Sequence, residues 1–270
     1  MRGTSRASLA EANERLSAVL ASGADAVQLG DELFSVADLL DSESALRRTL
    51  SDPSLRAAAK AGLAEALLSG KVAAATLELT TGLVRAHWSA PGDLADAAEQ
   101  LAVQAIVAGA DDEGGLDDLE DELFRFGRIV DAQPDLRVAL SSPFVAAERK
   151  QRLIEALLAG QVTPPALRLI SRAAMYPRGR SLGASLEEYA RLAARRRTRL
   201  IAEVHVAAEL SADQRQRLAT VLSVAYGHDV HLNVVLDPGV IGGMSVRISD
   251  ELIDGSLASR LAALRRKLAA

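Results

Sequence analysis

Four histidines and no cysteine set the chemistry open to this chain. His205, His228 and His231 fall close together in the last third, with Asp229 beside them. Two neutral imidazoles and a carboxylate are a set that can hold zinc. The strand pattern around His205 and His231 does not fix a common face, so ordinary polar or half-buried histidines are the favoured reading. Asp111, Glu113, Asp117 and Glu122 take positions 1, 3, 7 and 12 of a calcium loop, yet Leu116 stands where the sharp turn needs glycine and Gly115 where a ligand is needed. An acidic helix start fits that segment better. The glycines of Pro238-Gly239-Val240-Ile241-Gly242-Gly243 could bring backbone N–H groups to a phosphate, but no Lys-Ser/Thr pair follows and a strand pattern begins instead. Lack of cysteine excludes a thiol nucleophile, cysteine-held zinc or iron-sulfur and a disulfide scaffold. No G-x-S-x-G elbow, H-E-x-x-H or paired-carboxylate arrangement occurs. The residues therefore predict no catalytic, cofactor-binding or metal site.

Charge and rings narrow the classes further. Among 270 residues, 31 Lys and Arg face 36 Asp and Glu, a net charge of −5 that is the wrong sign for gripping nucleic acid over a whole surface. Aromatic residues make up only 3%, too few to stack on bases. Arg191, Arg195, Arg196, Arg197 and Arg199 form a local basic cluster, either a solvated helix end or a dock for an acidic partner. Arg2 and Arg6 open the chain, but Glu11, Glu14 and Arg15 interrupt any signal-type apolar run, which points to a cytoplasmic start. Leu101–Ala110 is uncharged but far shorter than the ~18 to 20 residues that span a bilayer, so no membrane span is expected.

The elements that would position these groups are duplicated. Asp31-Glu32-Leu33-Phe34 returns 90 residues later as Asp121-Glu122-Leu123-Phe124. The register holds through Leu50-Ser51 and Pro53 against Leu140-Ser141 and Pro143. It continues through Glu65-Ala66-Leu67-Leu68 and Gly70 against Glu155-Ala156-Leu157-Leu158 and Gly160. Leu29, Leu33, Val36 and Leu40 form one helical stripe, and Leu119, Leu123, Phe126 and Val130 repeat it. Ser51-Asp52-Pro53 and Ser141-Ser142-Pro143 read as helix starts, and Gly70 and Gly160 as helix stops. Ser89 to Asp93 breaks the chain before a helix from about Leu94 to Val107, and Gly109 to Gly115 breaks it again. A helix pair cannot bury both apolar faces, so the copies are expected to pack into bundles.

After Gly183 the pattern changes. A helix from about Ala184 to Arg197 precedes an alternating strand, Leu200 to Val206. Ser211 caps a helix that Gly227 stops, and His231 to Leu236 gives a second strand. Gly243 to Ile248, a turn at Ser249-Asp250 and Glu251 to Asp254 read as a hairpin, after which Ser256 caps a terminal helix. The expected class is α+β: an all-α N-terminal bundle with an internally duplicated helical unit, then a small C-terminal α/β domain with a mixed sheet. The expected divisions are 1–92 for the first copy, 93–183 for a bundle holding the second, and 184–270 for a linking helix and the α/β domain.

The stretch Asp237-Pro238-Gly239-Val240-Ile241-Gly242-Gly243-Met244-Ser245-Val246-Arg247-Ile248, continuing through Asp254-Gly255-Ser256 to Arg260-Leu261, closely resembles the C-terminal signature of the delta subunit family of F-type ATP synthases. The mitochondrial members are the oligomycin-sensitivity-conferring proteins. It joins D-P-x-x-I-G-G, an alternating strand, I-D-G-S and an R-L helix in one order, and the likeness runs from about Leu94 to the C-terminus. The resemblance implies a non-catalytic stator subunit without cofactor. Its helical bundle would hold N-terminal helices of alpha subunits on the catalytic head, and its C-terminal domain would meet the b subunit of the peripheral stalk. That implies a peripheral protein on the cytoplasmic face of a bacterial membrane. The additional first copy is similar to the longer actinobacterial form. Within the signature, Asp237, Pro238, Gly242, Gly243, Asp254, Gly255 and Ser256 are expected to determine the fold rather than to react. The alternative, drawn from the duplication, is a helical-repeat adaptor with an unrelated client.

Overall fold

Both leucine stripes are buried, and the helices that carry them recur with the same bounds 90 residues apart. In the computed structural model, which describes residues 3–197, 200–226, 230–237, 240, 243–248 and 251–254, the first repeat is α1 (Gly3–Ala21), α2 (Ala26–Ser42), α3 (Ser44–Ser51), α4 (Ala57–Leu68) and α5 (Ala74–Arg85). The second is α6 (Pro91–Asp112), α7 (Leu116–Ala132), α8 (Pro134–Ser141), α9 (Ala147–Leu158) and α10 (Pro164–Met175), and α11 (Leu182–Arg197) follows. The chain divides into two compact units, Met1–Ala194 and Arg195–Ala270.

Two local expectations are corrected. The helices expected at Ser51 and Ser141 end there instead, and α4 and α9 begin only at Ala57 and Ala147. The Asp52 carboxylate accepts from the backbone N–H (2.8 Å) and the hydroxyl (2.7 Å) of Ser54, which closes an Asx turn rather than capping a helix. Gly109 does not break the chain. It lies inside α6 facing α2, where a Cβ would make ordinary contact with Ala26 at 3.4 Å. Gly70 and Gly160 do close their helices, both at positive φ.

Shared residue identities across the repeat do shared work. The Glu32 carboxylate accepts from the Ala73 N–H (2.9 Å) and the Thr76 hydroxyl (2.5 Å) at the start of α5, where Ala73 has no side chain with which to cap. Glu122 accepts from the N–H (3.0 Å) and hydroxyl (2.6 Å) of Thr163 at the start of α10. A carboxylate from one helix thus caps another and complements its positive end. At the opposite ends, buried Lys60 donates to the Ala86 carbonyl (3.3 Å) and buried Lys150 to that of Ala174 (3.1 Å), cations against helix C-termini. Burial pushes both ammonium groups below the usual lysine range.

Helix α6 joins the copies. It packs against α1, α2, α3 and α5 of the first repeat and α7 and α10 of the second. Leu94, Leu101, Ala102, Val103, Ile106 and Val107 are all buried, as an apolar surface on every side requires. Gly30 of α2 permits the closest approach, since a Cβ there would lie 3.1 Å from the Ala102 carbonyl oxygen.

The second unit is a four-stranded mixed sheet in the order β2-β1-β3-β4, with β1 (Leu200–Val206), β2 (Val230–Leu236), β3 (Met244–Ile248) and β4 (Glu251–Asp254). β1 and β2 run parallel, with α12 (Ala212–Tyr226) between them in the chain; β3 is antiparallel to β1 and to β4. Ser211 and Gln214 form a capping box at the start of α12: the Gln214 N–H donates to the Ser211 hydroxyl (3.3 Å) and the Ser211 N–H to the Gln214 side chain (2.8 Å). Ala202, Val204, Val206, Val230, Val246 and Ile248, from alternate positions of the strands, form its core with Leu222 of α12.

Candidate functional site

The described signature residues, Asp237, Gly243 and Asp254, lie at one end of the sheet. The Asp237 N–H, just past β2, donates to the Val206 carbonyl (2.9 Å), and its own carbonyl accepts from the Val240 N–H (3.1 Å). Its carboxylate lies 3.4 Å from His205 Nδ1. Gly243, at φ +84°, enters β3 in a conformation that favours glycine. Asp254 pairs with Ser245, which pairs with His205 across the sheet. Pro238, Gly242, Gly255 and Ser256 lie outside the described residues, as do His228, the Ser249-Asp250 turn and the helix expected after Ser256. The arrangement pins the end of β2 to β1. His231 pairs with Ile201, so it stands four rungs from His205, about 13 Å along the strand, too far to share a metal ion. Among the described residues no group of three or more His, Asp or Glu is placed to hold a metal.

A denser polar site, absent from the sequence reading, lies in the first unit. Glu99 of α6 is 2% exposed and is met from three directions. Arg178 Nε stands 2.8 Å away, Arg180 Nη2 3.4 Å and Arg172 Nε 3.8 Å, while the Tyr189 hydroxyl donates from 3.0 Å. Arg178 also reaches Asp41 (2.6 Å) and Asp96 (2.7 Å). Arg172 pairs with Asp38 at 2.7 Å and lies over the rings of Phe34 (4.6 Å) and Tyr176 (4.3 Å). Burial pushes the Tyr189 hydroxyl far up, helped by the Glu99 charge, so it stays a donor. Burial also raises Asp38, with Arg172 opposing the shift. These groups join α2 of the first repeat to α6, α10 and α11 through Glu99, Arg172 and Arg178, which are buried, with Asp38, Asp41, Asp96 and Arg180 at the solvent-facing rim. The available signal was Glu99 itself, one carboxylate in an otherwise apolar stretch, together with the cations of Arg178-Gly179-Arg180.

The two repeats differ most in what they leave outside. Phe34, centred on α2, is 8% exposed beneath Arg172, whereas its counterpart Phe124 on α7 is 63% exposed. Ile129, Val138, Phe144 and Leu157 of the second repeat are exposed as well. In the second unit Val221 and Val224 stand out from α12. No helix among the described residues is long and apolar enough to cross a membrane.

Comparison with known proteins gives one consistent result. A family model described as ATP synthase delta (OSCP) subunit matches residues 103–268. Proteins named ATP synthase subunit delta match nearly the whole chain: from Streptomyces avermitilis at 48% identity, covering 99% of this chain and 98% of that one; from Thermobifida fusca at 47%, covering all of both. That of Streptomyces griseus is 47% identical, again over all of both chains. A chain of the Toxoplasma gondii mitochondrial ATP synthase hexamer is 16% identical over 62% of this chain and 95% of that one at a TM-score of 0.28, which carries no structural argument.

Proposed function

The chain belongs to the ATP synthase delta (OSCP) subunit family, and from that premise we propose that it is the non-catalytic connector of the stator. Its helical unit holds N-terminal helices of alpha subunits on the catalytic head, and its C-terminal unit holds the b subunit of the peripheral stalk. It works as a peripheral protein on the cytoplasmic face of the bacterial cell membrane. The observation that carries this reading is full-length similarity to delta subunits, which includes the first repeat that the family match beginning at residue 103 leaves out. The buried charges around Glu99 support it mechanically, because a part that resists torque gains from ion pairs shielded from water. Each end needs an interface on the order of 1,600 Å² to stay bound through turnover. An adaptor for an unrelated client has only the duplication in its favour.

The test is co-purification from detergent-solubilised membranes with an affinity tag on the full chain. Alpha and b subunits are expected together, and deletion of the chain is expected to abolish ATP synthesis while the detached head still hydrolyses ATP. Recovery of neither subunit, or normal ATP synthesis without the chain, overturns the proposal.

A further inference from the structure

The two edges of the mixed sheet are built differently. β4 forms one edge with four residues, and it begins and ends on an acidic one, Glu251 and Asp254. Shortness and charge are how a sheet edge is kept from pairing with other chains. β2, at the opposite edge, has neither. Its seven residues, Val230–Leu236, include no Asp, Glu, Lys, Arg or Pro, and among the described residues it pairs only with β1. Half of its backbone N–H and C=O groups therefore point away from the sheet as an unguarded row.

The side chains along that row are also left short of cover. On the face that meets α12, Val230 is buried, Leu232 and Val234 are half-buried, and Leu236 is 54% exposed. Burial thus fails progressively along one strand. α12 packs against β2, and it leaves Val221 and Val224 in solvent as well.

We propose that β2 takes a fifth strand from another subunit. The unmet groups are main-chain donors and acceptors, which an extended backbone satisfies and a helix, whose own are already paired, does not. The strand it takes runs for about seven residues, the length of β2. It carries no charge along that run, since β2 offers none to pair with, and it sets aliphatic side chains at alternate positions beside Leu232, Val234 and Leu236. A second copy pairing through the same edge would close both sheets and leave neither with its long edge free for an unlike neighbour. The site deepens the connector reading and rests on it, because it says how the C-terminal unit holds the stalk.

Hydrogen exchange read by mass spectrometry on peptides spanning residues 230–236 tests the strand, comparing the isolated full chain with the assembled synthase. The outward N–H groups of β2 are expected to exchange at least about tenfold more slowly in the synthase. Equal exchange in the two samples overturns the proposal, whether it is fast because nothing pairs there or slow because residues 255–270 of the same chain already do. In parallel, Leu236 is replaced by photo-reactive benzoylphenylalanine, and the synthase is irradiated and its cross-linked peptide mapped. The expected product joins position 236 to an uncharged segment of another subunit with aliphatic residues at every second position. No cross-link, or one to a second copy, to the same chain or to a charged segment with helical spacing, refutes it. Leu236→Lys, which gives the edge the charge it lacks, is expected to leave the melting temperature unchanged and to cut retention in the complex by on the order of tenfold. Unchanged retention counts against the added strand. If the unsubstituted chain recovers neither alpha nor b, the connector reading fails instead; if it recovers b while β2 stays unprotected, only the strand does.

Discussion

Lys60 and Lys150 show how single groups tune this fold. Burial holds both below their ordinary value of 10.5, so between the lowered and the ordinary value the unfolded chain binds more protons and stability rises with pH. Replacing both by methionine is expected to flatten that rise, read as melting temperature from pH 8 to 10.5. Glu32 behaves oppositely. Burial works against its charge, but hydrogen bonds from Thr76, Gln28 and Ala73 together hold it below 4.5. Its contribution is full above the unfolded value and is lost as pH falls through the folded one. Glu32→Ala is expected to cost about 1 to 3 kcal/mol at pH 7 by orphaning the Ala73 N–H at the start of α5, and less at pH 3, as measured by urea unfolding.

At the level of elements, close approach rather than propensity sets the tolerance of each helix. Gly30→Ala drives a methyl group against Ile106 and the Ala102 carbonyl and is expected to destabilise by about 1 to 3 kcal/mol. Gly127→Ala on α7, where the nearest atom lies 3.9 Å away, is expected to stabilise by up to about 1 kcal/mol, since α7 gains a better helix former. Guanidinium chloride midpoints separate the two. Elements were legible in the sequence where periodicity and duplication agreed, as for the buried stripes and the stops at Gly70 and Gly160, and where alternation alone was clear, as for the strands of the mixed sheet. The C-terminal signature likewise pointed to the right family. Helix starts were misread at Ser51 and Ser141 because Asp52 before Pro53 and Ser142 before Pro143 suit a turn closed by the side chain as well as a cap, and only tertiary packing chooses between them. The Glu99 site could not be read because its cations come from α10 and the segment after it, more than 70 residues away, and chain spacing does not say which distant arginine meets a lone carboxylate.

For the whole first unit, the charges around Glu99 and the shared helix α6 make the two repeats one cooperative body. Glu99→Ala leaves Arg178 buried without its central partner and is expected to cost about 3 to 5 kcal/mol, visible in thermal unfolding of the full chain. Deleting residues 1–90 uncovers the side of α6 at Ala102, Ile106 and Gly109 that α2 seals, and the shortened chain is expected to bind a hydrophobic dye and to lose a sharp melting transition. A sharp, dye-free melt of that fragment would show that each repeat stands alone.

A helix of 22 residues common to both repeats is a rod of about 33 Å with no linker along it. Load entering through the first repeat therefore reaches the second as strain in one continuous strut, without a hinge at which to dissipate. On the connector reading proposed above, the elastic compliance of a stepping motor would reside in the parts to which this body is fastened, and the doubled bundle would be its stiff bracket rather than its spring.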